Sequence, residues 1–263
     1  PILGIIVFKS VIYDGWRHFY FIYPAFLLVA VRGCYAAFYF PSLVNQVKTL
    51  VLCLLTASLI GTAIWMIAAH PLQNVYFNNL IGRNWKTKFD VDYWGLSNRQ
   101  ALQMILNGDK RAQIFIRDGA YNNIPLSLSM LDAKDAKRLV FTRDPNQADY
   151  LITNYRLNTT DYASMPSNWQ LIEHIYVGKE IVSSIYKAKR LIYAGQVKAG
   201  EPISFAKDSY GQYFLHEGSW ALPESWGVWA ESQKAFVDLP LPKNSKQNLT
   251  TLNLNLRALV SLK

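Results

Sequence analysis

Residues 49–69, TLVLCLLTASLIGTAIWMIAA, carry no charge and only small hydroxyl side chains among their apolar ones. About 20 apolar residues at 1.5 Å rise cross a hydrocarbon layer of ~30 Å, whereas the apolar region of a signal peptide is shorter and stands at the start of a chain. The competing reading is a buried helix of a soluble protein, but such helices usually keep a polar edge. The run therefore predicts a membrane span, and the rest of the chain has to be arranged around it.

A second span is expected at 19–40, FYFIYPAFLLVAVRGCYAAFYF, with aromatic residues at both ends as interfacial belts have. Its one charge, Arg32, lies about 20 Å along the helix from Phe19 and can snorkel to the far interface. The opening run ILGIIVF reads as the tail of a further span over residues 1–12, and hence as part of a larger protein. Residues 41–48 leave room only for a tight loop, so the two spans are expected to be antiparallel. Arg32 and Lys48 flank that loop and favour it as cytoplasmic, with Arg17 and His18 competing at the opposite end. On this orientation everything after His70 is extracytoplasmic.

Beyond His70 the chain holds 23 basic and 17 acidic residues. That dispersed surplus fits a solvated surface near anionic headgroups and gives no support to nucleic-acid binding. Both cysteines, Cys34 and Cys53, fall inside the proposed spans, so the soluble portion has neither disulfide nor thiolate chemistry and depends on its own core.

The soluble portion reads as two regions. Over 81–190 helix and strand signals alternate: a helix from Asn98 capped by Ser97 and closed by Asn107-Gly108, a strand IFIRD at 114–118, a helix at 126–132, and strands at 139–142 and 149–155 separated by an Asp144-Pro145-Asn146 turn. Two further strands, 171–178 and 180–189, meet at Gly178-Lys179 as a hairpin. Interleaved strands and helices predict a small α/β layer with partly parallel pairing. No phosphate-binding glycine loop occurs in it, so nucleotide binding has no support. Over 191–263 the period becomes two, in AFVDLPL at 235–241 and LNLNLRALVSL at 252–262, which predicts a β-rich, sandwich-like module with too few strands to close two sheets, and therefore an incomplete one. The expected architecture is a membrane α-helical hairpin over 1–80, an α/β region over 81–190 and this β-rich module.

Three motifs in order carry a resemblance. YDGWRHF at 13–19 leads into a proline-containing apolar helix, HPLQNVYFN at 70–78 stands at the exit of the next, and DYWG follows at 92–95. Together they resemble the final membrane section of bacterial polytopic glycosyltransferases of the GT-C type, similar to protein O-mannosyltransferases that use polyprenyl-phosphate sugars. The segment GSWALPESWGVW at 218–229 is similar to a β-rich module often appended to such proteins. The resemblance implies residence in the cytoplasmic (inner) membrane as a multi-pass protein, an extracytoplasmic C-terminal part, a polyprenyl-phosphate sugar as donor and a glycan or protein as acceptor. The family's acidic catalytic residue lies in the first extracytoplasmic loop, a region this chain lacks. No catalytic residue can be assigned here, the chain by itself is expected to be inactive, and neither a metal site nor a cofactor is called for.

The residues that remain as candidates are few. Arg17 and His18 stand at a helix entrance, where a guanidinium can hold a lipid phosphate in bidentate fashion and an imidazole can add a hydrogen bond; interfacial anchoring with Trp16 explains the same residue types. His70 before Pro71 reads as a helix end, with contact to substrate as the second possibility. Asp90 and Asp92 alternate along one segment, which suits hydrogen-bonded structure better than a metal pair. Trp220, Trp226 and Trp229 offer indole faces for sugar rings, with Glu217 and Glu224 as acceptors for hydroxyls, against the commoner role of tryptophan as core filler. Two functions fit: the C-terminal part of a membrane glycosyltransferase, or a non-enzymatic membrane-anchored module that binds glycan or protein.

Overall fold

A computed structural model describes residues 2–9, 15–39, 44–76, 89–120, 123–156, 168–240, 253 and 255. The chain divides into two compact units, Pro1–Ala68 and Ala69–Lys263.

The first unit is helical: α1 (Ile2–Val7), a 3-10 segment (Gly15–Ile22) running into α2 (Tyr23–Tyr39), and α3 (Asn45–Ala68). Two stretches, Phe19–Tyr39 and Asn45–Ala68, are long and apolar enough to cross a membrane. The second of the expected spans is α3. The other is not one continuous α-helix from Phe19, because Pro24 has no N–H to give to the carbonyl four residues back, and the preceding turn stays 3-10 as far as Ile22. Neither α2 nor α3 buries a residue, and Leu28, Leu59 and Ile67 are 71%, 72% and 77% exposed. Apolar side chains uncovered all round a helix call for a hydrocarbon solvent. Cys34 and Cys53 lie on these helices as free thiols.

The second unit is built on a five-stranded sheet of order β2-β1-β3-β5-β4, with β1 (Ile114–Asp118), β2 (Leu139–Phe141), β3 (Tyr150–Thr153), β4 (Trp169–Val177) and β5 (Glu180–Ala188). β1 pairs in parallel with β2 and β3; β5 is antiparallel to β3 and β4. This is the partly parallel α/β layer expected from the alternating pattern. The β4–β5 hairpin turns at Gly178, whose φ of 62° suits a residue without Cβ. β5 is an interior strand, buried along Val182–Tyr186, while β4, at the edge, is largely exposed and carries two register irregularities, which discourage further strand pairing.

Helix α4 (Ser97–Gly108) turns a stripe of Ala101, Leu102, Ile105 and Leu106 into the core, at the i, i+1, i+4, i+5 spacing of one helical face. The core opposite it includes Ile114, Ile116, Leu151, Val182 and Ile185. Two short helices, α5 (Ile124–Leu128) and α6 (Ala133–Ala136), lie between β1 and β2; the helix expected at 126–132 is therefore shorter and earlier. The expected cap is also corrected. The N-cap residue is Leu96 and offers no side-chain acceptor; instead the Asp92 carboxylate accepts the Leu96 N–H (3.0 Å) and the Ser97 N–H (2.9 Å).

The expected β-sandwich is not formed among the described residues after Ala188. There stand α7 (Lys189–Tyr193), 3-10 turns at Ala194–Gln196 and Tyr210–Phe214, and three isolated antiparallel bridges, Leu215 with Val237, Trp220 with Ala230 and Glu224 with Gly227. Of the described residues 235–240 only Val237 forms a bridge, since alternation produces a ladder only where a partner strand lies alongside. The run 252–262 lies outside the described residues apart from Asn253 and Asn255.

Candidate functional site

The start of β4, the end of β5 and the bridged segments around Leu215 and Val237 enclose a cleft. Asn168 and Trp169 enter from β4 and the residue before it. The Leu215–Val237 bridge sets His216 and Asp238 side by side, with the imidazole Nε2 and the carboxylate Oδ2 2.6 Å apart. Glu217 is held by Asn146, whose side chain accepts the Glu217 N–H (2.6 Å) and donates to its carbonyl (3.4 Å). Tyr213 stacks on Tyr193 at 5.1 Å between centroids, and the Lys189 ammonium lies 4.9 Å from its ring. The cavity volume is about 30 Å³, and the cleft opens to solvent.

An ionic network supports the floor of this cleft. Asp149, 3% exposed, accepts the Phe115 N–H (3.0 Å) and pairs with Arg190 and Arg111, each at 3.1 Å. Arg190 also donates to the carbonyls of Gln147 and Ala148, both at 2.8 Å, and lines the cleft. Arg111 grips Asp109 through Nε and Nη2, and Tyr150 donates its hydroxyl to the same carboxylate (3.2 Å). Burial works to raise the Asp109 carboxyl, but hydrogen bonds from the Arg111 side chain and backbone, together with its charge, overcome it and hold the group at about 2. Burial and the Asp109 charge push the Tyr150 phenol well above its ordinary value, so it stays a donor.

The sign of the pH dependence follows. A carboxyl lowered from 3.8 to about 2 stabilises the fold fully above its unfolded value and loses that contribution as pH falls through about 2. The amount is on the order of 2 kcal/mol. Denaturant unfolding of the chain in detergent between pH 5 and pH 2 is expected to show Asp109→Asn losing less stability on acidification than the parent; equal slopes would remove Asp109 from the account.

A second polar cluster crosses the sheet. His174 Nδ1 lies 2.6 Å from the Ser184 hydroxyl, which is 2.5 Å from the Tyr155 hydroxyl, itself 3.4 Å from that of Tyr186. Ser184 is fully buried, so its oxygen is spent in this chain of hydrogen bonds and is closed to a substrate.

The residues singled out from the sequence are dispersed. Arg17 and His18 belong to the 3-10 segment Gly15–Ile22, and their side chains lie outside the described part. His70 is exposed and its Nδ1 meets the Gln73 side-chain amide at 2.8 Å, where a cap on the α3 carbonyls was one expectation. Asp90 pairs with Arg156 (3.4 Å), and Asp92 is consumed in capping α4, so the two carboxylates form no metal pair; among the described residues no group of three or more metal-ligating side chains occurs.

Trp220, Trp226, Trp229 and Glu224 fall in one bridged turn, and none of them is buried, so the core-filling role does not apply. Trp220 donates its indole N–H to the Phe236 carbonyl (2.8 Å). Trp226, 44% exposed, packs edge-on against Trp229 at 4.8 Å and gives its N–H to Glu224 (2.5 Å), which occupies the carboxylate proposed for sugar hydroxyls. The turn and the cleft share Glu217 alone among the candidates. Trp169, Asn168, His216 and Asp238 were not anticipated; they stand in ordinary strand and loop contexts far apart in sequence, and no local pattern marks them.

Fold and site define a class of protein in coarse terms: a chain with two membrane-length apolar helices and a mixed α/β unit bearing a polar, aromatic cleft. Comparison with family models, curated proteins and solved structures matched this chain to none of them.

Proposed function

We propose that the chain is the C-terminal section of an inner-membrane glycosyltransferase that moves a sugar from a polyprenyl phosphate to an extracytoplasmic acceptor. The single observation that best supports this is the link between two of the motifs carrying the resemblance. Asn74 of HPLQNVYFN donates its amide to Asp92 of DYWG (3.0 Å), and the Asn154 amide reaches back from the end of β3 to the Asp92 carbonyl (2.7 Å). Motifs 18 residues apart thus form one latch at the start of the second unit, and the membrane-length helices precede it. On this reading the second unit is extracytoplasmic, and Arg17 and His18 receive the donor's phosphate.

The test is transfer of labelled sugar from a polyprenyl-phosphate hexose by membranes holding the full gene product. Activity is expected, and Arg17→Lys should lower kcat/KM about tenfold to a hundredfold, because an ammonium cannot reproduce two parallel hydrogen bonds worth roughly 1.5–3 kcal/mol. Parity of Arg17→Lys with the parent would make Arg17 an anchor. Absence of transfer from any such donor would favour the second reading, a membrane-anchored glycan- or protein-binding module, for which the surface pair Trp226 and Trp229 speaks.

A further inference from the structure

Exposed apolar side chains gather at one corner of the second unit. Trp94, Leu96 and Leu126 are 63%, 44% and 53% exposed. Hydrogen bonds hold all three at the start of α4: the Asp92 carboxylate takes the Leu96 N–H, two residues after Trp94, and the Asn98 amide donates to the Ser127 hydroxyl (3.0 Å), next to Leu126. Tyr76 and Phe89, also exposed, stand close in sequence to Asn74 and Asp90, which meet Asp92 and Arg156. Because the Asn154 amide reaches the Asp92 carbonyl from just past β3, the corner lies at the carboxyl ends of β3 and of β1 paired in parallel with it. Contiguous exposed apolar groups of this kind mark a surface that meets another molecule or a membrane.

The path of the chain selects a bilayer. α3 ends at Ala68, and Ala69 and Leu72 are already buried in the second unit, with the Leu72 N–H on the Ala69 carbonyl (2.6 Å). Asn74, two residues on, holds Asp92. Six residues of chain from Ala68 to Asn74 reach at most about 20–22 Å, and this segment is turned rather than stretched, so no spacer lifts the corner away from the point where α3 leaves hydrocarbon. Residue types agree: tryptophan suits the headgroup level and leucine the acyl boundary beneath it. Arg99, exposed in the first turn of α4, supplies a cation for lipid phosphates, while Asp90 is paired with Arg156 and Asp92 is buried, so neither carboxylate repels them. The exposed pair Leu222 and Trp226 belongs instead to the bridged segments, which Asn146 ties through Glu217 to the amino end of β3.

We propose that the second unit rests on the bilayer through this corner, with Trp94, Leu96 and Leu126 bedded in the lipid headgroup layer and the bridged segments held away from it. The proposal rests on α3 crossing that bilayer and is independent of sugar transfer.

The experiment uses the full chain in nanodiscs of phosphatidylcholine and phosphatidylglycerol. In a Cys34→Ser, Cys53→Ser background one cysteine at a time is introduced, as Leu126→Cys, Leu96→Cys or Leu222→Cys, and labelled with a small fluorophore. Lipid bearing a nitroxide on its headgroup quenches from the membrane side, and iodide from the water side. Emission at positions 96 and 126 should be lost to nitroxide lipid and protected from iodide, and position 222 should show the reverse. Trp94→Glu, added to the Leu126→Cys variant, should shrink the nitroxide quenching and admit iodide, because a carboxylate is driven out of an anionic, partly apolar layer. Circular dichroism of each variant checks the fold, and two exposed corner positions keep the test open if one label disturbs α4. Iodide reaching 96 and 126 as readily as 222, with no nitroxide quenching, would overturn the proposal. So would shielding of the corner from both quenchers, which marks a protein partner, and so would stronger nitroxide quenching at 222 than at 126. None of these readouts involves sugar transfer, so failure of the glycosyltransferase reading leaves the result as it stands.

Discussion

Asp149→Ala is expected to destabilise the second unit by about 3–5 kcal/mol, the range for removing one partner of a buried ionic cluster. The carboxylate is almost wholly buried and joins three pieces of chain: the Phe115 N–H of β1, Arg111 ahead of that strand and Arg190 after β5. Its backbone adds to the same junction, giving its N–H to the Phe115 carbonyl and accepting the Ala188 N–H, at 2.8 and 2.9 Å. Without the side chain, Arg111 keeps Asp109, whereas Arg190 keeps only carbonyls, so the larger disturbance falls at the cleft floor. Asp149→Asn retains an acceptor for Phe115 but no charge and should lie between the two. Guanidinium unfolding of the whole chain in detergent, followed by tryptophan fluorescence, measures the loss. A change below about 1 kcal/mol would mean the cluster behaves as an exposed pair does.

The second large effect is expected at Asp92, 1% exposed. Asp92→Ala removes the acceptor for two N–H groups at the start of α4 and for the Asn74 amide. A lost helix cap costs typically about 1 kcal/mol, and the buried Ser97 N–H left without its acceptor roughly 1–3, so about 2–4 kcal/mol is expected in all. The same residue distinguishes a structural motif from a catalytic one. If DYWG serves the latch, Asp92→Ala lowers stability, and any activity it loses in the full gene product returns at lower temperature. A variant with parental unfolding behaviour and no transfer at any temperature would instead make Asp92 part of the chemistry.

Elements whose signal is local were legible from residues alone. IFIRD at 114–118 is bounded by polar residues and forms β1 over that range; Gly178 supplies the positive φ on which the β4–β5 hairpin turns; the spacing of Ala101, Leu102, Ile105 and Leu106 is that of a helix face. The cap of α4 was misassigned because Ser97 and Asp92 are both good capping types, and only the path of the chain from Asp92 to Leu96 decides which oxygen arrives at the free N–H groups. The tryptophans of 220–229 suggest a core by hydrophobicity, yet a core needs a second layer, and the turn that carries them leaves each at least partly exposed. For the same reason Phe236, in an alternating run, is 54% exposed.

Sequence by itself determined that two stretches of this chain are long and apolar enough to span a bilayer, because that property depends on length and the absence of charge, both of which are additive along the chain. It likewise determined the alternation of strand and helix between Ser97 and Ala188, a matter of periodicity. Tertiary structure alone decided that Asn74, Asp92 and Asn154 form one latch, that Asp149 gathers two arginines beneath the cleft, and that Asn168, Trp169, Glu217 and Asp238 share an opening. Those groups come from separate segments, and a hydrogen bond acts over about 3 Å, so their meeting depends on the register of the sheet and on the Leu215–Val237 bridge, which no local pattern encodes.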